Sequence, residues 1–260
     1  MADSLSIATC AIYAVLFIPV LYLLVRHARF GLAGWLLLLI FCIIRIVGGA
    51  LEISHTGTAA GIVSSVGLSP LLLATNGILH ESRIYRIRTV GWKVPAIFEF
   101  LVHGLVAAGV VLTAIGSSKL QRLDGSIDSA EKMVKVGIAL LTAAWGILVV
   151  LAGLSFAASR TKYDAVVRAG TILLYSACLA LVFSGIRVLY TLVVLCTQKG
   201  SLTLDYGTLA LRVVLSFLPE VIAVIIYICA GIITQSAASK LANYEPEDSS
   251  ERRHFTTSRA

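Results

Sequence analysis

The residues best placed to do chemistry lie in one apolar stretch near the C-terminal end, from Tyr206 to Gln235. The stretch is long enough to cross a bilayer as a helix, which takes about 20 apolar residues. An ionisable side chain there is costly and by default faces protein or a wet cavity. Helical spacing of i, i+4, i+7, i+8 and i+15 puts the unusual residues on one face. They are Arg212, Ser216, Pro219, Glu220 and Tyr227.

Glu220 is the candidate catalytic acid. Apolar surroundings favour the protonated form of a carboxylic acid, which can then donate a proton to a substrate. Arg212, two turns earlier on the same face, works against that form because a guanidinium stabilises a carboxylate. The sequence leaves a structural alternative open, in which Arg212 and Glu220 form an ion pair and Pro219 is a packing feature.

Two further arginines interrupt apolar runs at a similar depth. Arg45 lies in the second run and Arg187 in the sixth. At 1.5 Å per residue, Arg45, Arg187 and Arg212 lie roughly 8–12 Å inside the apolar layer, and Glu220 lies roughly 20 Å inside. Arginine is always protonated and presents a planar fork of donors. Three such groups need anionic partners, and the apolar runs contain few acids.

We expect these side chains to converge on one pocket, open outward or to the side, with Glu220 at its floor. The pocket would hold an anionic or oxygen-bearing ligand, and its tyrosine rings would stabilise a developing cation. The alternative is a structural cluster, in which the arginines pair with glutamates and helix-end carbonyls or extend to the interface. The expected ligand-binding residues are Arg45, Glu52, Arg187, Tyr190, Arg212 and Tyr227.

A second polar cluster lies on the third and fourth runs, near the opposite end of the bundle. Its members are Asn76, His80, Glu99 and His103. Glu99 and His103 are one helical turn apart, and two histidines with a glutamate suggest metal ligands. Because the spacing does not match a closed metal site, we expect hydrogen bonds between helices and no metal.

The composition is that of an integral membrane protein. Of the 260 residues, 58% are hydrophobic and 13% are charged, with a mean hydropathy of +0.92, whereas soluble chains carry about 25% charged residues. The net charge of +7 comes largely from Lys and Arg beside apolar runs, where it sets orientation. The lipid bilayer is therefore an expected partner, and nucleic acid is not. The five cysteines lie in or beside apolar runs, which is typical of small core residues.

The apolar runs predict an all-α, polytopic membrane protein with a bundle of seven transmembrane helices. The runs cover about 5–25, 32–53, 59–79, 94–115, 133–158, 167–195 and 206–235. Short connections are expected between them, including a basic one over 80–93 and a longer one over 116–132 with room for a short surface helix. Residues 1–236 would form the transmembrane domain, and residues 237–260 a disordered polar tail in the cytosol.

The positive residues beside the runs predict the orientation. The first, third and fifth connections carry nine Lys and Arg residues, and the second, fourth and sixth carry five. The positive-inside rule then places the N-terminus outside or in the lumen and the C-terminus in the cytosol. The first run has no basic segment before it and reads as a retained span. Endoplasmic reticulum and plasma membrane both fit, and the sequence indicates no particular oligomeric state.

Several classes are excluded by missing motifs. The chain has no P-loop or Rossmann glycine pattern and no G-x-S-x-G elbow. The last run contains no lysine that could hold a retinal Schiff base. We therefore expect no cofactor and no serine nucleophile.

Four short motifs resemble those of a family of fungal seven-span integral membrane proteins. They are Gly34-Trp35, RIVGGALE from Arg45 to Glu52, GLSPLLLA from Gly67 to Ala74, and Arg212 followed by Pro219-Glu220. The resemblance covers all seven spans and implies their architecture, but the family has no agreed activity. In size and buried acids the chain is also similar to small membrane-bound fungal terpene cyclases, which protonate an epoxide or alkene with buried carboxylic acids. No cyclase motif aligns, so no residue role is transferred.

Three classes of function fit these features, and each involves a lipophilic small molecule. The first, which we expect, is an acid-catalysed cyclase of the terpene cyclase type in fungal secondary metabolism, with Glu220 as its acid. The second is a seven-helix receptor or sensor, although the connection over 159–164 is short for G-protein coupling. The third is a transporter of small molecules or lipids, which the Pro219-Glu220 pair in mid-span favours.

Overall fold

The structure is a computed structural model that describes residues 2–27, 31–54, 68–86, 96–122, 127–157, 164–197 and 213–237. These residues form seven α-helices and one π-helical turn. The helices are α1 (Ala2–Arg26), α2 (Leu32–Ile53), α3 (Leu68–Arg86), α4 (Ala96–Arg122), α5 (Ile127–Ala157), α6 (Asp164–Thr197) and α7 (Leu218–Thr234). The π-helical turn, Val213–Phe217, directly precedes α7.

Six helical segments among the described residues are long and apolar enough to cross a membrane: α1, α2, α4, α5, α6, and α7 together with the π-helical turn before it. Their candidate spans contain 21 to 30 residues, which meets the length that a bilayer requires. The helix α3 is more polar, yet most of its polar side chains are buried inside the bundle. They include Ser69, Asn76, Glu81, Arg83 and Arg86. An all-helical chain with six such helices fits a multi-pass membrane protein.

Two predicted connections are largely helical. The helix α3 continues to Arg86, so the prediction of a basic connection over 80–93 is wrong for its first part. It continues because Glu81 and Arg86 bond to groups on other helices and are buried. The connection predicted over 116–132 is also wrong, because α4 runs to Arg122 and α5 begins at Ile127. Residues 59–67, the first part of the third run, lie outside the described residues.

The helix α3 is central, and it packs against α2, α4, α5 and α6. The crossing of α2 and α3 depends on two glycines. A Cβ placed on Gly77 would overlap the Cα of Gly34, and one placed on Gly34 would lie 2.7 Å from the backbone N of Ile78. Glycine therefore lets the two backbones touch, as in other close helix pairs in membranes.

The helix α7 begins inside the seventh apolar run because of Pro219, which is its second residue. Proline has no N–H and cannot donate to the carbonyl of Leu215. The preceding residues adopt the wider hydrogen-bond spacing of a π-helical turn. Glu220 consequently lies in the first turn of α7, pointing into the bundle with 1% exposure. The tail predicted over 237–260 lies outside the described residues from residue 238 onward.

Candidate functional site

Glu220 is the centre of a buried charge cluster that joins α2, α6 and α7. Its Oε1 lies 2.7 Å from Nε of Arg187 on α6 and accepts a hydrogen bond from Nη2 of Arg45 on α2. The side chains of Glu220 and Arg187 are almost fully buried, and that of Arg45 is 12% exposed. The structure thus brings together three of the residues that the sequence singled out.

The local sequence explains how each helix delivers its side chain. Glu220 lies in the first turn of α7, where the helix dipole favours a negative charge. On α6, small residues precede Arg187 on the same stripe, and Ala180 and Ser184 are buried there. On α2, Gly48 and Gly49 follow Arg45 by about one turn and line the cavity beside it, and a Cβ on Gly49 would lie 2.9 Å from the carbonyl oxygen of Ser6 on α1. Small residues therefore neighbour both of the large cations around this acid.

The cluster has more donors than acceptors. Two guanidinium groups share one carboxylate oxygen. Among the described residues, the Nε of Arg45 and the hydroxyls of Tyr13 and Tyr190 are buried without a hydrogen-bond partner. Leaving a buried polar group unsatisfied costs about 1–3 kcal/mol. A guest that brings acceptor oxygens would remove that cost.

A cavity of about 60 Å³ adjoins the cluster. Its polar lining includes Arg45, Glu52, Arg187 and Glu220, and its apolar lining includes Leu5, Ile44 and Phe217. These three apolar residues are half-buried, which places them where the cavity approaches the surface of the bundle. Arg45 and Glu52 are half-buried as well, so the cavity has both polar and apolar groups where it approaches the surface of the bundle.

Glu52 lines the same cavity and ties α2 to α1. Its Oε2 accepts a hydrogen bond of 2.5 Å from Oγ of Ser6. The described ion pairs of both arginines go to Glu220 instead. Glu52 is thus a second carboxylate beside the cavity, and the hydroxyl of Ser6 holds it in place.

Tyr13 is a candidate site residue that the sequence reasoning missed. Its ring is fully buried and makes edge contacts with the rings of Phe41 at 5.5 Å and Phe217 at 6.3 Å. A tyrosine in the middle of an apolar run was the available signal, because a buried phenol usually finds a hydrogen-bond partner. Here the hydroxyl has none among the described residues.

Of the other expected ligand-binding residues, Tyr190 and Tyr227 are not among the described residues that line the cavity. Tyr190 follows Arg187 on α6 and is 7% exposed. Tyr227 does not line the cavity: its hydroxyl donates to Oγ1 of Thr75 on α3 at 2.7 Å. Seven residues of α7, about 10 Å along the axis, separate it from Glu220. Arg212 lies outside the described residues.

The structure describes one contact within the second polar cluster. Nδ2 of Asn76 lies 3.5 Å from Nδ1 of His103, which links α3 to α4. His80 and His103 are exposed, and nothing is described of the Glu99 side chain. Within the described ranges, no group of three or more His, Cys, Asp or Glu side chains is placed to hold a metal ion.

The fold and the charge cluster define an all-helical protein with six apolar helices and a buried polar site at one end. The chain belongs to the family described as a domain of unknown function, DUF7702, whose model matches residues 1–237. The match takes in every described helix and every residue of the charge cluster. No curated protein and no solved structure matches the chain. Membership therefore identifies the family without assigning an activity.

Proposed function

We propose that the protein spans the membrane and binds the oxygen-bearing head group of a lipophilic small molecule between Arg45 and Arg187. The observation that carries the proposal is that two buried guanidinium groups share one carboxylate beside a cavity. The Nε of Arg45, which lines the cavity, is buried without a hydrogen-bond partner among the described residues and is a donor that a further acceptor would satisfy. A carboxylate is the head group that matches best, because guanidinium binds it with two parallel hydrogen bonds.

The cavity has a volume that fits a head group but is too small to enclose a whole lipophilic molecule. Pockets that enclose drug-sized ligands measure roughly 300–1,000 Å³, and this one measures about 60 Å³. The half-buried rim of Leu5, Ile44 and Phe217 would let an apolar tail extend between helices toward lipid. The tail then stays in an apolar medium, and only the head needs protein donors.

The acid-catalysed cyclase stays a prediction that these contacts do not favour. Glu220 accepts a hydrogen bond from Arg45 and forms an ion pair with Arg187, so its carboxylate is already engaged as the counter-ion of two guanidinium groups. A cyclase also has to enclose its whole substrate, which the cavity beside Glu220 does not do. A sensor and a transporter both need a head-group site of the kind proposed here.

The proposal includes a topology. We infer that α3 is a seventh span, because most of its polar side chains are buried inside the bundle, with His80 as an exposed exception. The positive-inside count then places the N-terminus outside or in the lumen. The cavity, near the start of α1 and of α7, would lie toward that side. Fungal origin is a further inference from the four sequence motifs.

Equilibrium binding to the purified protein in nanodiscs tests the function. The probes are a long-chain fatty acid, its methyl ester and the corresponding alcohol. We expect the wild type to bind the acid at least tenfold more tightly than the ester. Arg45→Gln and Arg187→Gln should each weaken binding of the acid about tenfold or more, since a hydrogen bond to a charged group is worth about 1.5–3 kcal/mol.

Arg26→Gln is the matched control. Arg26 is exposed at the end of α1, so the variant loses the same charge away from the cavity and should bind as the wild type does. Equal affinity of the wild type for acid and ester would contradict the proposal. So would unchanged affinity in both site variants when they remain folded.

A further inference from the structure

A third polar cluster is buried at the opposite end of the helices from the cavity. It consists of His27, Trp35, Glu81 and Tyr85. Glu81 on α3 is fully buried and accepts hydrogen bonds from Nε1 of Trp35 at 2.9 Å and from the hydroxyl of Tyr85 at 2.8 Å. Nδ1 of His27, just after α1, lies 2.6 Å from Oε1 of Glu81. Nε2 of His27 lies 3.1 Å from the carbonyl oxygen of Gly231 on α7.

The close packing of this cluster leaves little room for rearrangement. His27 is 1% exposed and Trp35 and Tyr85 are fully buried. The rings of His27 and Trp35 lie 4.8 Å apart at their centroids. A Cβ on Gly231 would overlap Trp35, and a Cβ on Gly31 would overlap the Glu81 carboxylate. The backbones of α7 and of the segment before α2 are thus pressed against the cluster.

The donors and acceptors around His27 call for one more proton than a neutral imidazole and an ionised carboxylate carry together. A carbonyl oxygen can only accept, so the contact with Gly231 requires a proton on Nε2 of His27. The 2.6 Å contact on the other side also requires a proton, either on Nδ1 or on the Glu81 carboxyl. A neutral imidazole beside an ionised carboxylate supplies only one of these two protons. Both contacts can be hydrogen bonds at the same time only if the cluster carries the second proton as well.

We propose that His27 and Glu81 form a proton-binding site that clasps α7 to α1 and α3. When the proton leaves to water, neutral His27 retains one N–H. If Nδ1 keeps it, a lone pair on Nε2 faces the Gly231 carbonyl; if Nε2 keeps it, a lone pair on Nδ1 faces the carboxylate. One contact breaks in either case, and the longer contact with Gly231 is the weaker one. Proton loss is therefore expected to break the contact between His27 and the Gly231 carbonyl, which links the end of α1 to α7.

The groups that face His27 come from three helices. The helix α3 presents Glu81 and Tyr85, α2 presents the Trp35 ring, and α7 presents the Gly231 carbonyl. Glu81 and Tyr85 are the titratable members, and the hydroxyl of Tyr85 donates to Glu81 rather than to His27. Gly231 lies 11 residues after Glu220 on α7, about 16 Å along the axis. The proton site and the charge cluster thus act on opposite ends of one helix.

Nitrogen NMR of the purified wild type, labelled with ¹⁵N-histidine, tests the proposal. At pH about 8 an ordinary histidine, with a pKa of about 6.5, is neutral. We expect one imidazolium signature that is absent in His27→Gln and present in His103→Gln, in which an exposed histidine is replaced. A protonated carboxylic acid band in the infrared spectrum that is lost in Glu81→Gln supports the site equally. Absence of both signatures in the wild type overturns the proposal, whether or not any variant folds.

The melting temperature gives a second readout of the same site. The proposed site exists in the folded state alone, so a rise in pH that removes its proton also removes the stability that its contacts supply. Over the range in which the NMR or infrared signature titrates, the melting temperature of the wild type should fall more steeply than that of His27→Gln. An identical pH dependence of the two proteins would contradict the clasp.

Discussion

Arg187 and Glu220 form a 2.7 Å ion pair between α6 and α7 in which both side chains are more than nine-tenths buried. The same carboxylate oxygen also serves Arg45, so this pair is not a simple match of one cation with one anion. Breaking a buried pair leaves an uncompensated charge and typically costs about 3–5 kcal/mol. The stability of the bundle should therefore respond unequally to removal of the acid and of one cation.

Removal of Glu220 should destabilise the protein more than removal of Arg45. Glu220→Gln leaves two buried guanidinium groups without a carboxylate, at a cost of about 3–5 kcal/mol. Arg45→Gln leaves Arg187 and Glu220 paired one to one and should cost clearly less. Thermal denaturation of both variants in the same detergent measures the difference. Equal melting temperatures would contradict the assignment of Glu220 as the shared counter-ion.

A lipophilic carboxylate should rescue Glu220→Gln. The bound anion would replace the missing carboxylate, and a ligand that binds the folded state alone raises its stability. A long-chain fatty acid should raise the melting temperature of Glu220→Gln by more than that of Arg45→Gln, and the methyl ester should do neither. Equal shifts with acid and ester would indicate an effect of the detergent phase.

The crossing of α2 and α3 should not tolerate a methyl group at Gly77. Gly77→Ala pushes a Cβ into the backbone of Gly34, and overpacking of this kind costs about 1–3 kcal/mol. Gly104→Ala is the control, because the Cβ there meets nothing within 4 Å and alanine favours a helix. We expect a lower melting temperature for the first and an unchanged or higher one for the second. The opposite order would contradict the described crossing.

Tyr227 should be structural and not part of the ligand site. Tyr227→Phe removes the hydrogen bond to Thr75, which is worth about 0.5–1.5 kcal/mol, and should leave fatty-acid affinity unchanged. A double-mutant cycle with Thr75→Val isolates that hydrogen bond. If Tyr227→Phe lost as much fatty-acid affinity as Arg45→Gln, Tyr227 would have to be part of the ligand site, which would contradict this prediction.

The apolar runs predicted the helices well where they coincide with lipid-facing surface. The second run matches α2 at both ends, because long apolar periodicity leaves few alternatives. Two polar stretches were wrongly interpreted as connections: the end of α3, and the residues over 116–132 that mostly belong to α4 and α5. Glu81 and Arg86 look like loop residues in the sequence, and only tertiary partners such as Trp35 and the carbonyl of Ser155 make burial acceptable.

The candidate site was predictable only in part, because its charged members could be recognised singly but their contacts could not. A charge inside an apolar helix stands out, so Arg45, Arg187 and Glu220 could be selected by type and depth. Their pairing could not, since Arg212 is the nearest cation to Glu220 in sequence while Arg45 and Arg187 are its described partners. Tyr13 carries no charge and was overlooked.

The orientation can be tested by introduced glycosylation sites. The described helices leave 123–126 between α4 and α5, so an acceptor sequence with flexible flanks inserted there is the sharpest probe. The positive-inside rule predicts modification at that position and none within 238–260. The reverse pattern would place the cavity on the cytosolic side.

A structure of the protein determined with a bound fatty acid tests the central claim most directly. The fatty acid would carry bromine on its tail so that the tail can be located independently. We predict density for a carboxylate in the cavity beside Arg45 and Arg187, within hydrogen-bonding distance of the Arg45 Nε, with the bromine beyond Leu5 and Phe217. A cavity that holds only water, or a carboxylate bound elsewhere while the cavity stays unchanged, would contradict it.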